Sequence, residues 1–320
     1  MSLLINKPGI LTTIQDLGRI GARSFGINPS GVMDSAAARI LNVMLGNEES
    51  AGVIEMYYPA PEIEFDDDTV FAIGGAEFGA AIDGVSIQNW TASIGRKNSV
   101  LKFTEKRSGN CAYIAVEGGV QADPWLDSAS TNLMAGVGGL SGRRLETRDR
   151  IECGIRSLEV RPIRVGSSVL PHYSRFPTVR ILAGNEFELL TAASERIFLN
   201  DGFTLTKDCN RMGFRLNGKP LHLLNTSEMV SSAVSFGTIQ LLPDGQLIVL
   251  MADHQTSGGY PRIGNVIPVD LPILAQCGPG DGISFQMVSI EEAERLTMQF
   301  ETELSFLRVG CRLQKQNAEG

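Results

Sequence analysis

The stretch LIVLMADHQTSGGYPRIG, residues 247–264, joins a short apolar run to a dense polar loop. Leu247 to Leu250 is too short for a helix, is rich in branched side chains and is followed at once by turn-forming residues. That combination predicts a buried β-strand. The runs TVFAIGG (69–75), CAYIAVEGG (111–119) and VRILAG (179–184) read the same way. Helical periodicity is scarce by contrast. In PSGVMDSAAARILNVMLGN (29–47), Asp34 or Ser35 stands at the N-cap, Ala37, Ile40, Leu41, Met44 and Leu45 line one face, and Gly46 follows the end. A second helix, about 289–309, starts at Ser289 with Glu292 completing a capping box. Its stripe of Ala293, Leu296, Phe300, Leu304 and Leu307 ends near Gly310, and the tail beyond is polar. A doubly wound α/β sheet needs a helix between most strands. The chain is therefore expected to be mainly β with a few peripheral helices, its sheet edges protected by closed or partly closed barrels.

An internal echo sets the organisation. FGAAIDG (78–84) lines up with MGFRLNG (212–218) at an offset of 134, and at that offset YIAVEGG (113–119) falls on LIVLMAD (247–253). RDRI (148–151) meets GDGI (280–283) at 132. A shared spacing over three segments suggests two copies of one β-rich unit. The break is expected in RVGSSVLPHYSRFPT (164–178), which has turn residues and no periodicity, giving domains of about 1–165 and 175–320.

Composition narrows the function classes. With 320 residues, 43% hydrophobic and 20% charged, the chain can bury a sizeable core. No apolar run is long enough to span a membrane, and the N-terminus lacks a signal-peptide pattern. A net charge of −8 without a Lys/Arg cluster argues against nucleic-acid binding. Five scattered cysteines, with no CxxC pair, fit a reducing cytoplasm better than a disulfide framework. Three isolated histidines, with no HxH or HExxH spacing, give no metal site.

Four polar segments could carry chemistry. In ADHQTSGGYP (252–261), Asp253 lies just past a buried strand, where a rigid element can aim a proton-accepting carboxylate. Gln255, Thr256 and Tyr260 could orient a small polar substrate. Gly258 and Gly259 permit positive φ and close backbone approach, although a plain strand-connecting loop would use some of these residues too. In the second segment Gln15, Asp16 and Arg19 precede a glycine-rich loop, and Ser30 leads to Asp34 at a helix start whose free N–H groups suit an anion, unless Asp34 satisfies them itself. In the third, Asn210 and Arg211 precede a strand. Arg211 could clamp a carboxylate or phosphate, or lie exposed on a turn. Ser130 and Thr131, the fourth, stand before another glycine-rich loop. Together the segments suggest one shared cleft for a small molecule.

At greater length these segments resemble one family. PGILTTIQDLGRIGARSFGINPSGVMDSAAARILNVMLGN (8–47), LDSASTNLMAGVGGLSGRRL (126–145), NRMGFRLNG (210–218), GTIQLLPDGQLIVLMADHQTSGGYPRIG (237–264) and DLPILAQCGPGD (270–281) follow its motifs in order. The family is that of the 5-oxoprolinase C subunit, also described as KipA, allophanate hydrolase subunit 2 or biotin-dependent carboxyltransferase-like, and the likeness covers about Pro8 to Phe285. It implies two cyclophilin-like β-barrel domains and a heteromeric complex with a KipI-like B subunit plus an A subunit. That complex opens 5-oxoproline to glutamate using ATP, which enters through the complex. Two alternatives come with the likeness. One is a carboxyltransferase component that moves a carboxyl group from biotin to urea. The other is a non-catalytic antagonist of a KipI-like kinase inhibitor. By position, the family motif residues are Gln15, Asp16, Ser30, Asp34, Ser130, Thr131, Asn210, Arg211, Asp253, Gln255, Thr256, Gly258, Gly259 and Tyr260. DS at 127–128, AGN at 183–185 and TSGGY at 256–260 depart from the usual wording.

Overall fold

The computed structural model describes residues 1–154, 165–166, 169–225 and 229–316, the side chains of the last two excepted. Part of the expected inter-domain break, residues 164, 167 and 168, lies outside the described residues. The protein is mainly β with few helices. Its chain forms two compact units. One comprises Met1–Arg19, Ser30–Pro171 and Phe300–Gly320, the other Ile20–Pro29 and His172–Gln299.

The first unit is built from two antiparallel sheets. A six-stranded sheet runs in the order Arg150–Glu152, Ser2–Lys7, Glu62–Phe65, Val100–Phe103, Ala80–Ile82, Val85–Ser86. A five-stranded sheet runs Thr12–Gln15, Val53–Tyr57, Ser108–Val116, Thr69–Glu77, Ser93–Gly95. One core joins them: Leu3, Ile5, Ile63, Phe65 and Leu101 from the first sheet pack with Ile14, Ile54, Phe71, Ile73 and Ile114 from the second. Helix α1, Ser35–Met44, packs on Thr69–Glu77 and Ser108–Val116. Those two strands are almost continuously buried because they have cover on both faces. That is why they read in the sequence as unbroken apolar runs rather than as an alternation.

The second unit contains a closed seven-stranded barrel. Its order is Thr178–Ala183, Arg262–Val266, Thr238–Leu241, Leu247–Leu250, Gly213–Asn217, Phe203–Leu205, Gly282–Met287. All pairings are antiparallel except the closing one, where Thr178–Ala183 meets Gly282–Met287 in parallel register, Val179 opposite Phe285. Closure leaves no unpaired edge in the ring. Helix α2, Ala192–Asn200, is capped by Thr191, whose hydroxyl accepts from the Ser194 amide at 3.2 Å. It places Phe198 5.0 Å, ring centre to ring centre, from Phe285. Helix α3 is the short Leu271–Ala275.

Two expectations change. The echoed segments are not equivalent in pairing: Gly213–Asn217 lies against Leu247–Leu250 in the barrel, whereas Ala80–Ile82 and Ser108–Val116 belong to different sheets of the first unit. Helix α4, Ile290–Gln316, starts where the Ser289 cap predicts, with the Ser289 hydroxyl accepting from the Glu292 amide at 3.2 Å. It then continues past Gly310, because one glycine costs a helix only about 1 kcal/mol and the buried side chains of Leu304 and Cys311 hold it on either side.

Candidate functional site

In the first unit the chemistry gathers around Asp16. The buried strand Thr12–Gln15 delivers it at its end, beside Val53–Tyr57. Asp16 Oδ1 accepts from Ser128 Oγ at 2.7 Å, Ser130 Oγ at 2.5 Å and Gly18 N at 2.7 Å, and Oδ2 accepts from Ala129 N at 2.6 Å. The Asp16 amide donates back to Ser130 Oγ at 3.1 Å. Two loops more than a hundred residues apart are thus tied by one carboxylate. Gln15 and Thr131 belong to the same knot. Gln15 Nε2 donates to Thr131 O at 3.2 Å, and Thr131 Oγ1 donates to Ile14 O at 2.9 Å. Gln15 Oε1 is buried and accepts no hydrogen bond among the described residues.

Ser30 and Asp34 frame this knot rather than enter it. Ser30 and Gly31 both have positive φ, 54° and 101°, and turn the chain so that Val32 N donates to Asp16 O at 2.9 Å. Asp34 is the cap of α1, its Oδ1 accepting from Ala37 N at 2.9 Å. The helix start therefore has its own internal anion, which satisfies part of what a ligand was expected to satisfy. Met33 N donates to Glu55 Oε2 at 2.8 Å, and the Tyr113 hydroxyl accepts from Asp34 N at 2.8 Å and donates to Glu55 Oε2 at 2.7 Å. Burial, reinforced by the neighbouring Cys111 and Glu55, pushes the Tyr113 hydroxyl well above the usual tyrosine range, so it stays a donor.

Arg19 is the largest fully buried side chain among the described residues. Its Nη2 donates to Ser130 O, and its guanidinium lies 5.0 Å from the centre of the Trp125 ring. Gly139 is required here, since φ is 58° and a Cβ would stand 1.9 Å from Thr131 Oγ1. A cavity of about 580 Å³ lies elsewhere in this unit, lined by Leu17, Met44, Glu48, Glu117, Arg308 and Arg312 among others. None of the sequence-selected residues lines it, though Leu17 is next to Asp16 in the chain.

In the second unit the centre is an ion pair. Arg211 Nε and Nη2 donate to Asp253 Oδ2 and Oδ1 at 2.8 and 3.1 Å, and Asp253 N donates to Arg211 O at 2.8 Å. Both side chains are buried. This answers the sequence ambiguity: Arg211 sits in the Asn210–Gly213 turn with its side chain buried, not exposed. Asn210 is exposed, and its Oδ1 accepts from Met212 N at 2.8 Å, shaping the turn rather than facing Asp253. Asn28 Nδ2 donates to Asp253 O at 3.0 Å, and Arg23 donates to Val234 O, so the Ile20–Pro29 segment is tied to this loop by side chains.

The rest of the 253–260 loop is a scaffold with an exposed face. Thr256 O accepts from Val234 N at 3.2 Å, and Ser257–Gly258 pairs with Ser232–Ala233. Buried Gln240 donates to Tyr260 O at 3.4 Å and approaches Gln255 Nε2 at 3.5 Å. Gln255, Gly259 and the Tyr260 ring are exposed. The expected positive φ at Gly258 and Gly259 is absent. What Gly258 supplies is space, because a Cβ would meet Gln240 Nε2 at 2.7 Å. His254 is buried with Nδ1 at Gln255 O, and burial lowers its pKa. Burial also raises the Cys153 and Cys277 thiols to about 12, which removes both as nucleophiles. No group of three or more His, Cys, Asp or Glu among the described residues could hold a metal ion.

Sequence reading missed Ser128, Arg19, Glu55, Tyr113, Asn28 and Gln240 as parts of these clusters. One signal was available: Glu55 is a lone charge within the otherwise apolar VIEMY strand, and buried carboxylates need partners.

The pattern described as "Carboxyltransferase domain, subdomain A and B" matches residues 25–287. The chain belongs to this carboxyltransferase-domain family. Within the family, it is 36% identical to the 5-oxoprolinase C subunit of Haemophilus influenzae over 92% of this chain and 94% of that protein. It is also 36% identical to the 5-oxoprolinase C subunit of Escherichia coli, over 98% of this chain and 100% of that one. Among solved structures, the K. lactis urea amidolyase superposes with a TM-score of 0.91 at 25% identity over 96% of this chain. The chain spans only 20% of that protein's length.

Proposed function

We propose that this chain is the C subunit of an ATP-dependent 5-oxoprolinase, acting with an A subunit plus a KipI-like B subunit to open 5-oxoproline to glutamate. The observation that carries the reading is the 36% identity, nearly end to end, with two proteins of that name. Hydrolysing a lactam forms a bond from a water oxygen to the carbonyl carbon and breaks the C–N bond, which requires an activated carbonyl, a group to take the water's proton and a proton for the departing ring nitrogen. In this reading ATP activates the carbonyl through the complex, and Asp253, held in place by Arg211, is the acid/base group. Gln255 and Tyr260, on the exposed side of the same loop, orient the substrate. The complex works in the cytoplasm. No described helix is long and apolar enough to cross a membrane, which is compatible with that assignment.

The test is reconstitution. Mixing the chain with the A and B components, ATP and 5-oxoproline should yield glutamate and ADP, and leaving the chain out should stop both. Replacing Asp253 by Asn should reduce turnover by at least about 100-fold, the scale of a lost acid/base group. Unchanged turnover removes Asp253 from the mechanism. Binding of a KipI-like protein without turnover would instead favour the antagonist role.

A second reading has its own support in the family's description and the urea amidolyase likeness: a carboxyltransferase component receiving a carboxyl group from biotin. Its support is weaker, at 25% identity to a protein of which this chain spans a fifth. Biotin and its carrier would then come from a partner, and transfer from a carboxybiotinylated carrier to urea would be the assay.

A further inference from the structure

Helix α4 from Phe300 onward has two apolar faces, and the first unit covers only one. Leu304 and Cys311 are buried, and Phe300 and Leu307 are half-buried beside them. The helix is anchored by ion pairs: Arg39 donates to both Glu301 oxygens at 2.7 Å, and Arg308 pairs with Glu49. The opposite face carries Phe306, Val309 and Leu313, which are 72%, 53% and 53% exposed. Spacings of three and four residues put these three on one stripe. A surface helix normally turns polar residues to water. Here the side facing away from the unit is an uncharged apolar strip, the type of surface that marks an interface.

We propose that this strip is a self-association surface, on which α4 of a second copy packs antiparallel about a two-fold axis near Phe306 and Leu307. The charges beside the strip select that occupant. Glu301 and Arg312 lie about three turns apart on the same flank. An antiparallel two-fold crossing therefore sets Glu301 of one copy beside Arg312 of the other, and repeats the pair by symmetry. Arg312, which also helps to line the cavity with Met44 and Glu48, is exposed and makes no ion pair among the described residues. Glu301 remains half exposed beside Arg39, and a carboxylate has acceptor sites for a second guanidinium. A foreign helix would have to match this spacing, whereas a second copy carries it by construction.

Sedimentation velocity over a range of protein concentrations reads the outcome, and this inference does not depend on the proposed activity. The protein should show a monomer–dimer equilibrium. Phe306→Glu should weaken association by at least about thirty-fold, the scale of an interface hot spot, with unchanged helix content by circular dichroism because Phe306 is outside the core. Arg312→Glu should weaken it by about threefold to tenfold, less so in high salt. Oxidised Phe306→Cys should form a dimer cross-linked through that position. A monomer at every concentration overturns the proposal, as does a dimer that Phe306→Glu leaves intact or that Phe306→Cys fails to cross-link. Association that appears only with a different protein of the complex and is lost in Phe306→Glu overturns it in favour of a foreign partner.

Discussion

Asp16 in the first unit and Asp253 in the second are both buried carboxylates at the end of a buried strand, yet they are satisfied by different means. Asp16 accepts from two hydroxyls and two backbone amides, donors that belong to the loops it ties together. Asp253 receives the fork of a single guanidinium from Arg211. The first arrangement is a structural knot, in which the carboxylate is spent on holding Gly18 and residues 128–130. The second concentrates opposite charges at one point. A residue of the same type is thus held by neutral donors in one unit and by a guanidinium in the other.

The contrast can be broken most sharply at Arg211. Arg211→Ala removes the cation that pairs with the buried Asp253 carboxylate and should cost about 3–5 kcal/mol in urea denaturation, whereas replacing both partners by apolar residues of similar volume should recover most of that loss. A single-variant cost under about 1 kcal/mol would show that water already reaches the pair. Asp16→Ala comes next, at about 2–4 kcal/mol, since several donors lose their acceptor but some can turn to water. Hydrogen exchange should rise selectively at the Gly18 and Ala129 amides. If it rises across the whole unit, Asp16 is a core residue and not a local tie.

The glycines separate the two regions again at smaller effect. Gly139→Ala must accept a left-handed φ and a clash with the Thr131 hydroxyl, and should cost about 1–3 kcal/mol by thermal or chemical denaturation. Gly258→Ala meets the amide ends of the Gln240 and Gln255 side chains, not backbone, and should cost less than about 1 kcal/mol. Equal costs would remove the distinction between a fixed knot and an adaptable loop. The smallest effect is a pH slope. Burial depresses the His254 pKa, so the unfolded chain takes up a proton first as the medium is acidified. Its contribution to stability is complete above pH 6.5, the ordinary value, and is lost progressively as pH falls from there to the lower folded value. His254→Gln should flatten that part of the stability profile, and an unchanged slope would place the titration elsewhere.

Much of this was legible without coordinates. Asp34 stands where an N-cap should, Gly46 follows α1 with positive φ, and the LIVL run is a strand, because these signals are local and depend on neighbours a few residues away. The site was legible as residue types and only partly as pairs. Gln15, Asp16, Ser130 and Thr131 do meet, and so do Arg211 and Asp253. Asn210, chosen beside Arg211, turns out to shape a turn, since its short side chain accepts from the backbone two residues on. Arg19 was noticed only for preceding a glycine-rich loop, because an arginine is expected at the surface and nothing nearby in the chain announces Ser130 and Trp125 as its neighbours.

The amino-acid sequence by itself determined the mainly β character, the cap and end of α1, the start of α4 and the polar segments that carry the family motifs, all through short-range propensity and periodicity. Tertiary structure alone decided which sheet each strand joined, that α4 runs past Gly310, and which donors met Asp16 and Asp253. Those outcomes depend on burial and on pairings between residues up to a hundred positions or more apart, and no local pattern encodes the partner.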